Sequence, residues 1–122
     1  MDISSSASYW DYLEKLVVSS PLKIDRPKGT SHSRYPDWVY PLDYGYLEGT
    51  LAADGAGIDV WLGASGSHHL SGVILTVDLH KRDTEIKILL GCTKEEIQTA
   101  LNFHNTKSMR AFLVCRSTAI LI

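Results

Sequence analysis

The stretch Tyr40-Pro41-Leu42-Asp43-Tyr44-Gly45-Tyr46-Leu47-Glu48-Gly49-Thr50-Leu51, followed after two alanines by Asp54-Gly55-Ala56-Gly57-Ile58-Asp59-Val60, decides how this chain is read. Asp-Gly and the second glycine make residues 54–57 a turn, because glycine accepts backbone angles that other residues avoid. The β-branched and aromatic residues that follow predict a strand over 58–62. Upstream, the segment from 21 to 46 holds all four prolines and many aromatics, which reads as extended pieces and turns and disfavours an all-helical fold. Asp54 and Asp59 thus stand on either side of one glycine-rich turn.

Moving outward, residues 73–79 and 85–90 are β-rich and enclose the polar linker 80–84, the pattern of a twisted antiparallel hairpin. Asp78 and Glu85 fall at its facing ends. The period of two puts Glu85 and Lys87 on the same face, so a carboxylate and an ammonium project together. Thr93-Lys94-Glu95-Glu96 is a capping box that opens a helix with Ile97, Ala100, Leu101 and His104 on one face. The runs at 111–114 and 119–122 suit terminal strands or a helix end. At the other terminus, Tyr9, Trp10, Leu13, Leu16 and Val17 form a helical stripe behind a Ser8 cap, and Ser19-Ser20-Pro21 ends it.

These elements give an α+β expectation: a small mixed, mainly antiparallel β-barrel or curved sheet with flanking helices. The expected organisation is a flexible N-terminus over residues 1–8 and a single domain over 9–122. Hydrophobic residues at 44% and charged residues at 21% are ordinary globular values. Net charge is −2 with the basic residues dispersed, which argues against nucleic acid as partner. Cys92 and Cys115 lack metal-finger or redox spacing and are expected to be reduced core thiols. The opening has no basic and apolar leader pattern, and no apolar run approaches the ~20 residues of a membrane helix. The expectation is therefore a cytoplasmic chain with no membrane partner.

Four acids bear on chemistry: Asp54, Asp59, Asp78 and Glu85. Taken alone they read most simply as turn and strand-end charges. Gathered in one cleft, they would repel one another unless a cation intervened, and oxygen ligands without a His or Cys cluster favour a hard ion such as Mg2+. The adjacent His68-His69 pair is a weaker transition-metal candidate, since neighbours in a strand point to opposite faces. Trp10, Trp38 and Trp61 read as core aromatics, with only Trp38 adjoining the cleft.

The opening stretch resembles the signature of the soluble, magnesium-dependent inorganic pyrophosphatases, in which Y-P-x-N-Y-G-Y precedes D-G-D-P-x-D-V. Asp25-Arg26-Pro27-Lys28-Gly29 with Arg34-Tyr35 is similar to that family's E-I-P-x-G stretch and the basic residue before tyrosine. Glu85-Ile86-Lys87 resembles its D-x-K step, and Lys107 is similar to the lysine of its late Y-K pair. The likeness spans about residues 23 to 107. It implies a β-barrel core of the OB type, with Asp54, Asp59, Asp78 and Glu85 as magnesium ligands. It also implies that Arg34, Lys87 and Lys107 neutralise phosphate and that Tyr44 donates to the leaving oxygen. The implied activity is slow hydrolysis of pyrophosphate or a related small phosphorylated ligand, possible as a homo-oligomer. The alternative is a non-catalytic relative that binds phosphate, metal or a protein partner.

The departures from the pattern have chemical meaning. Ala56 occupies the place of the middle aspartate, and a methyl group neither binds magnesium nor accepts a proton. Gly57 replaces a proline. Between Arg34 and Tyr40 the chain is shorter than the family pattern by about a hairpin; Pro36 takes a ligand position that the neighbouring Asp37 could fill. Thr106 replaces the tyrosine beside Lys107.

Overall fold

The computed structural model describes residues 6–116, so residues 1–5 and the apolar run at 119–122 lie outside the description. Along the chain run α1 (Ser6–Val18), β1 (Leu22–Arg26), β2 (Asp43–Leu47), β3 (Ile58–Leu62), β4 (Leu70–Asp78), β5 (Asp83–Leu90), α2 (Lys94–Phe103) and β6 (Met109–Cys115). The strands form one mixed sheet in the order β1-β2-β3-β5-β4-β6. All neighbours are antiparallel except β3 and β5. The fold is a small α+β arrangement, as expected.

The expected barrel is not closed. Closure requires the two outermost strands to pair, whereas β1 pairs with β2 alone and β6 with β4 alone among the described residues. The segment after β1 contributes the isolated bridge Ser31↔Val39. Residues 111–114 belong to β6, which settles that part of the terminal run as strand.

Both faces of the sheet are covered. On one, Val60, Val73, Ile88 and Leu90 pack against Trp10, Leu13 and Val17 of α1. On the other, Trp61, Ile74 and Leu89 meet Ala100 and Phe103 of α2 together with Tyr40 and Leu42. This two-sided burial is why β5 ends in three consecutive buried apolar residues, Ile88, Leu89 and Leu90, instead of alternating. Helix α1 starts at Ser6, ahead of the expected Ser8 cap, and of its stripe Tyr9 and Leu16 face solvent. It ends where the Ser19 and Ser20 hydroxyls take over the carbonyls of Lys15 and Leu16 before Pro21.

The capping box of α2 forms as read: the Thr93 hydroxyl accepts from the Glu96 amide at 3.1 Å, and the Glu96 carboxylate accepts from the Thr93 amide at 2.9 Å. The second carboxylate oxygen of Glu96 accepts from the Ala64 amide at 2.9 Å. One side chain therefore fixes both the helix start and the loop after β3.

Gly45, at the centre of the Tyr-Gly-Tyr step, pairs with Ile24 of β1. A Cβ built there would come 1.8 Å from the Lys23 carbonyl oxygen, a backbone atom that cannot swing aside. Gly45→Ala should therefore destabilise the protein by about 3 kcal/mol or more, beyond the usual overpacking cost because strand pairing itself must open. Thr93→Ala, which removes one cap bond, should cost only ~1 kcal/mol. Urea unfolding of the two variants checks this ranking.

Candidate functional site

Sheet register assembles the site. On the α2-facing side, the pairs Tyr44↔Trp61 and Tyr46↔Asp59 join β2 to β3, and Asp59↔Lys87 joins β3 to β5. Ile74↔Lys87, Thr76↔Glu85 and Asp78↔Asp83 then carry the same face onto β4. Side chains two apart along a strand share a face, so Asp59 with Trp61 and Glu85 with Lys87 line up over neighbouring strands.

Above this face lies a cavity of about 490 Å³. All eight residues singled out in the sequence line it: Tyr44, Arg34, Lys87, Lys107, Asp54, Asp59, Asp78 and Glu85. Asp25, Arg26 and His32 line it as well, and sequence reasoning gave them no role in the site. The signal for Asp25 and Arg26 was present in the Asp-Arg-Pro step, but neighbours in a regular strand face opposite ways. A register shift between Ile24 and Arg26 supplies an extra residue at Asp25 and brings both into the cavity.

At the acidic end, the Lys87 ammonium donates to Asp59 Oδ2 at 2.7 Å and to Glu85 Oε1 at 2.6 Å, with the lysine side chain only 7% exposed. Burial alone would favour loss of its proton; the Asp59 and Glu85 carboxylates more than offset this and raise its pKa. Tyr44 is pushed up by burial, so its phenol keeps its proton. Asp54 Oδ1 accepts from the Ala56 amide at 3.0 Å, the main reason its carboxyl is lowered. Asp78 is occupied by the hairpin turn. Its Oδ1 accepts from the Ser108 hydroxyl at 2.7 Å, chiefly responsible for its lowered pKa, and from the His80 amide at 2.9 Å.

The four acids share a cavity without forming one cluster: among the described residues no three of His, Cys, Asp and Glu are placed to hold a metal ion. The donor chemistry still suits magnesium. Asp54, Asp59 and Glu85 offer only oxygen, and magnesium is commonly held by one or two carboxylates together with substrate phosphates and water.

The opposite end is basic and aromatic. Arg34 and Lys107 make no ion pair among the described residues. Lys107, at a left-handed φ of 54°, sets its ammonium 4.8 Å from the centre of the Tyr35 ring. His32 stacks on Trp38 at 4.7 Å, and Trp38 stacks on Phe103 at 4.5 Å. Burial and then the charges of Arg26, Arg34, Lys81 and Lys107 lower the pKa of His32. Cations from four separate segments thus act on one ring.

Beneath the cavity, His104 Nε2 accepts from the indole N–H of fully buried Trp61 at 3.0 Å. That bond puts the imidazole proton on Nδ1, which faces the Met109 sulfur at 3.3 Å. Burial, aided by Lys87, lowers the His104 pKa to about 3. Sequence reading had placed His104 only on a helix face.

Other candidates fall away from the site. His68 and His69 are exposed and join no group fit for a metal among the described residues. Asp37 does not line the cavity, and Asp43 accepts from the Lys28 amide at 2.9 Å. Trp10 and Trp61 are core residues, whereas Trp38 borders the cavity inside its ring stack. Cys115 is exposed, against expectation, while Cys92 is half-buried, with a thiol pushed up by burial to about 11.

The backbone overlays on the crystal structure of an inorganic pyrophosphatase from Neisseria gonorrhoeae with a TM-score of 0.51, at 17% identity, covering 73% of this chain and 77% of that chain. The fold is pyrophosphatase-like. No family model and no curated protein matches the sequence. No helix among the described residues is long and apolar enough to cross a membrane.

His104 gives a pH prediction. Its folded pKa lies below its ordinary value of about 6.5, so between pH ~6.5 and ~3 the unfolded chain binds more protons, and stability falls as pH drops. The loss should approach about 1.4 kcal/mol per pH unit. Asp54, Asp78 and Glu96 have lowered values, so their contributions are lost at more acidic pH. Unfolding curves between pH 6.5 and 5 should slope in the wild type and flatten in His104→Gln, with His32 supplying the residue of the slope.

Proposed function

We propose that this chain binds pyrophosphate or a closely related phosphoanhydride in the cavity and hydrolyses it slowly with magnesium. The observation that carries the reading is the joining of Arg34, Lys107, Lys87 and Tyr44 with oxygen-only acids in a single cavity of a pyrophosphatase-like fold. Arg34 and Lys107, free of carboxylate partners, attract the anion and hold it at the basic end. Arg26 adds charge on the same side. Tyr44, kept protonated by burial, can donate a hydrogen bond to an oxygen that gains charge as the anhydride opens.

Asp54, Asp59 and Glu85 are the residues suited to hold magnesium, which when bound would polarise phosphate oxygens and lower the pKa of a bound water. Water activation by the chain itself is the weak point. The Asp54 carboxylate is tied to its own turn, and Ala56 at the tip has no proton acceptor. Loss of a general base typically costs about 10² to 10⁴ in rate. Binding without turnover is a second reading, favoured by the Lys87 ammonium that both Asp59 and Glu85 contact.

Phosphate release from pyrophosphate, measured with and without magnesium, separates the readings. Slow magnesium-dependent release that rises in Ala56→Asp supports hydrolysis; calorimetric binding with no release supports the second reading. Arg34→Ala and Lys107→Met should each weaken pyrophosphate binding about tenfold, the loss of one charge-assisted contact. Unaltered affinity in both, or no binding in the wild type, would remove the phosphate site altogether.

A further inference from the structure

An inorganic anion is held by cations and hydrogen-bond donors, and aromatic rings add little to its binding. Yet His32, Tyr35 and Trp38 line the cavity beside Arg34 and Lys107, and each is only half-buried, unlike the buried Tyr40, Trp61 and Phe103. The cavity is also large for such an anion. At about 490 Å³ it falls within the ~300–1,000 Å³ that holds drug-sized ligands, whereas pyrophosphate brings only about nine non-hydrogen atoms.

One short loop supplies this wall. Trp38 stacks on Phe103 at 4.5 Å and on His32 at 4.7 Å, while Tyr35 stands 5.4 Å from His32 and 5.8 Å from Trp38. With Trp38 engaged by two stacking partners, His32 and Tyr35 are the rings placed to meet a ligand. The Arg34 amide donates to His32 Nδ1 at 3.0 Å, so the neutral imidazole carries its proton on Nε2, a further donor at the wall. Burial and the surrounding cations keep that ring neutral. The Lys107 ammonium lies 4.8 Å from the centre of the Tyr35 ring and 6.0 Å from that of Trp38. An anion held by Lys107 is therefore beside the same rings, and a planar group carried on that anion can lie against them.

We infer that the phosphoanhydride taken by this cavity carries a nucleobase: the ligand is a nucleoside di- or triphosphate, with its base against His32 and Tyr35 and its phosphates on Arg34 and Lys107. This rests on the reading of the cavity as a phosphoanhydride site and narrows its ligand class. Stacking on aromatic side chains tolerates any base, because every base has a π-face. The wall thus selects for the presence of a base and leaves its identity open.

Ligands that cannot be hydrolysed test this without turnover. The α,β-methylene analogue of ADP, and methylenediphosphonate, which has the same bridge without the nucleoside, are titrated by calorimetry into the wild type with magnesium present. The nucleotide analogue should bind about tenfold more tightly, within the span of one base–aromatic stack. Tyr35→Leu should remove most of that advantage and leave methylenediphosphonate affinity unchanged. Equal affinity for the two ligands, or weaker binding of the nucleotide, would overturn the inference while leaving the phosphate reading intact. Binding of neither would overturn both. A preference that survives in both Tyr35→Leu and His32→Ala would seat the base elsewhere and overturn the assignment. If those variants fail to fold, saturation-transfer NMR on the wild type decides: the adenine ring protons should take up saturation most strongly, and ring protons that receive none would overturn the inference.

Discussion

The parallel pairing of β3 with β5 is the constraint on which this molecule turns. It seats Asp59 opposite Lys87 and Trp61 opposite Leu89, one pair facing the cavity and the next closing the core beneath it. Every other part of the site is placed relative to that pair. Tyr44 and Tyr46 reach it by pairing with β3, Glu85 by sharing a strand face with Lys87, and His104 by accepting the Trp61 indole hydrogen. A slip of one residue between β3 and β5 would turn the charged side chains into the α1 core, and the energetic cost of burying them there holds the register.

The chemistry is divided between two ends of one cavity. At one end the acids already have hydrogen-bond donors: Lys87, backbone amides or a serine hydroxyl. At the other, Arg34 and Lys107 lie among aromatic rings and make no ion pair among the described residues. Such a field draws anions in, while the acidic end, where one ammonium serves two carboxylates, keeps net negative charge. The loop between Arg34 and Tyr40 builds the aromatic wall from Tyr35 and Trp38, so the short connection is a packed part of the cavity.

Much of this was legible in the residues. Period-two patterning located β3 and both strands of the β4–β5 hairpin, and the capping box located the start of α2. The Glu85 and Lys87 pair followed from the same periodicity. What sequence could not supply were facts that depend on distant partners: the open edges of the sheet, the capture of Asp78 by Ser108, and the bond between Trp61 and His104. The start of α1 was misplaced because serines ahead of a helix read equally well as caps and as first-turn residues. Tyr9 and Leu16 fit the helical stripe but fall outside the strip that the sheet covers.

The extra residue at Asp25 carries a further meaning. A strand with a bulge counts its residues differently from its partner, so the length of β1, as much as its composition, is under constraint. Shortening β1 by one residue would straighten it and return Asp25 and Arg26 to opposite sides of the sheet, taking one of them out of the cavity. Conservative swaps within the strand would leave that count untouched. Insertions and deletions at this edge are therefore a more sensitive record of whether a related chain keeps the same cavity than substitutions are.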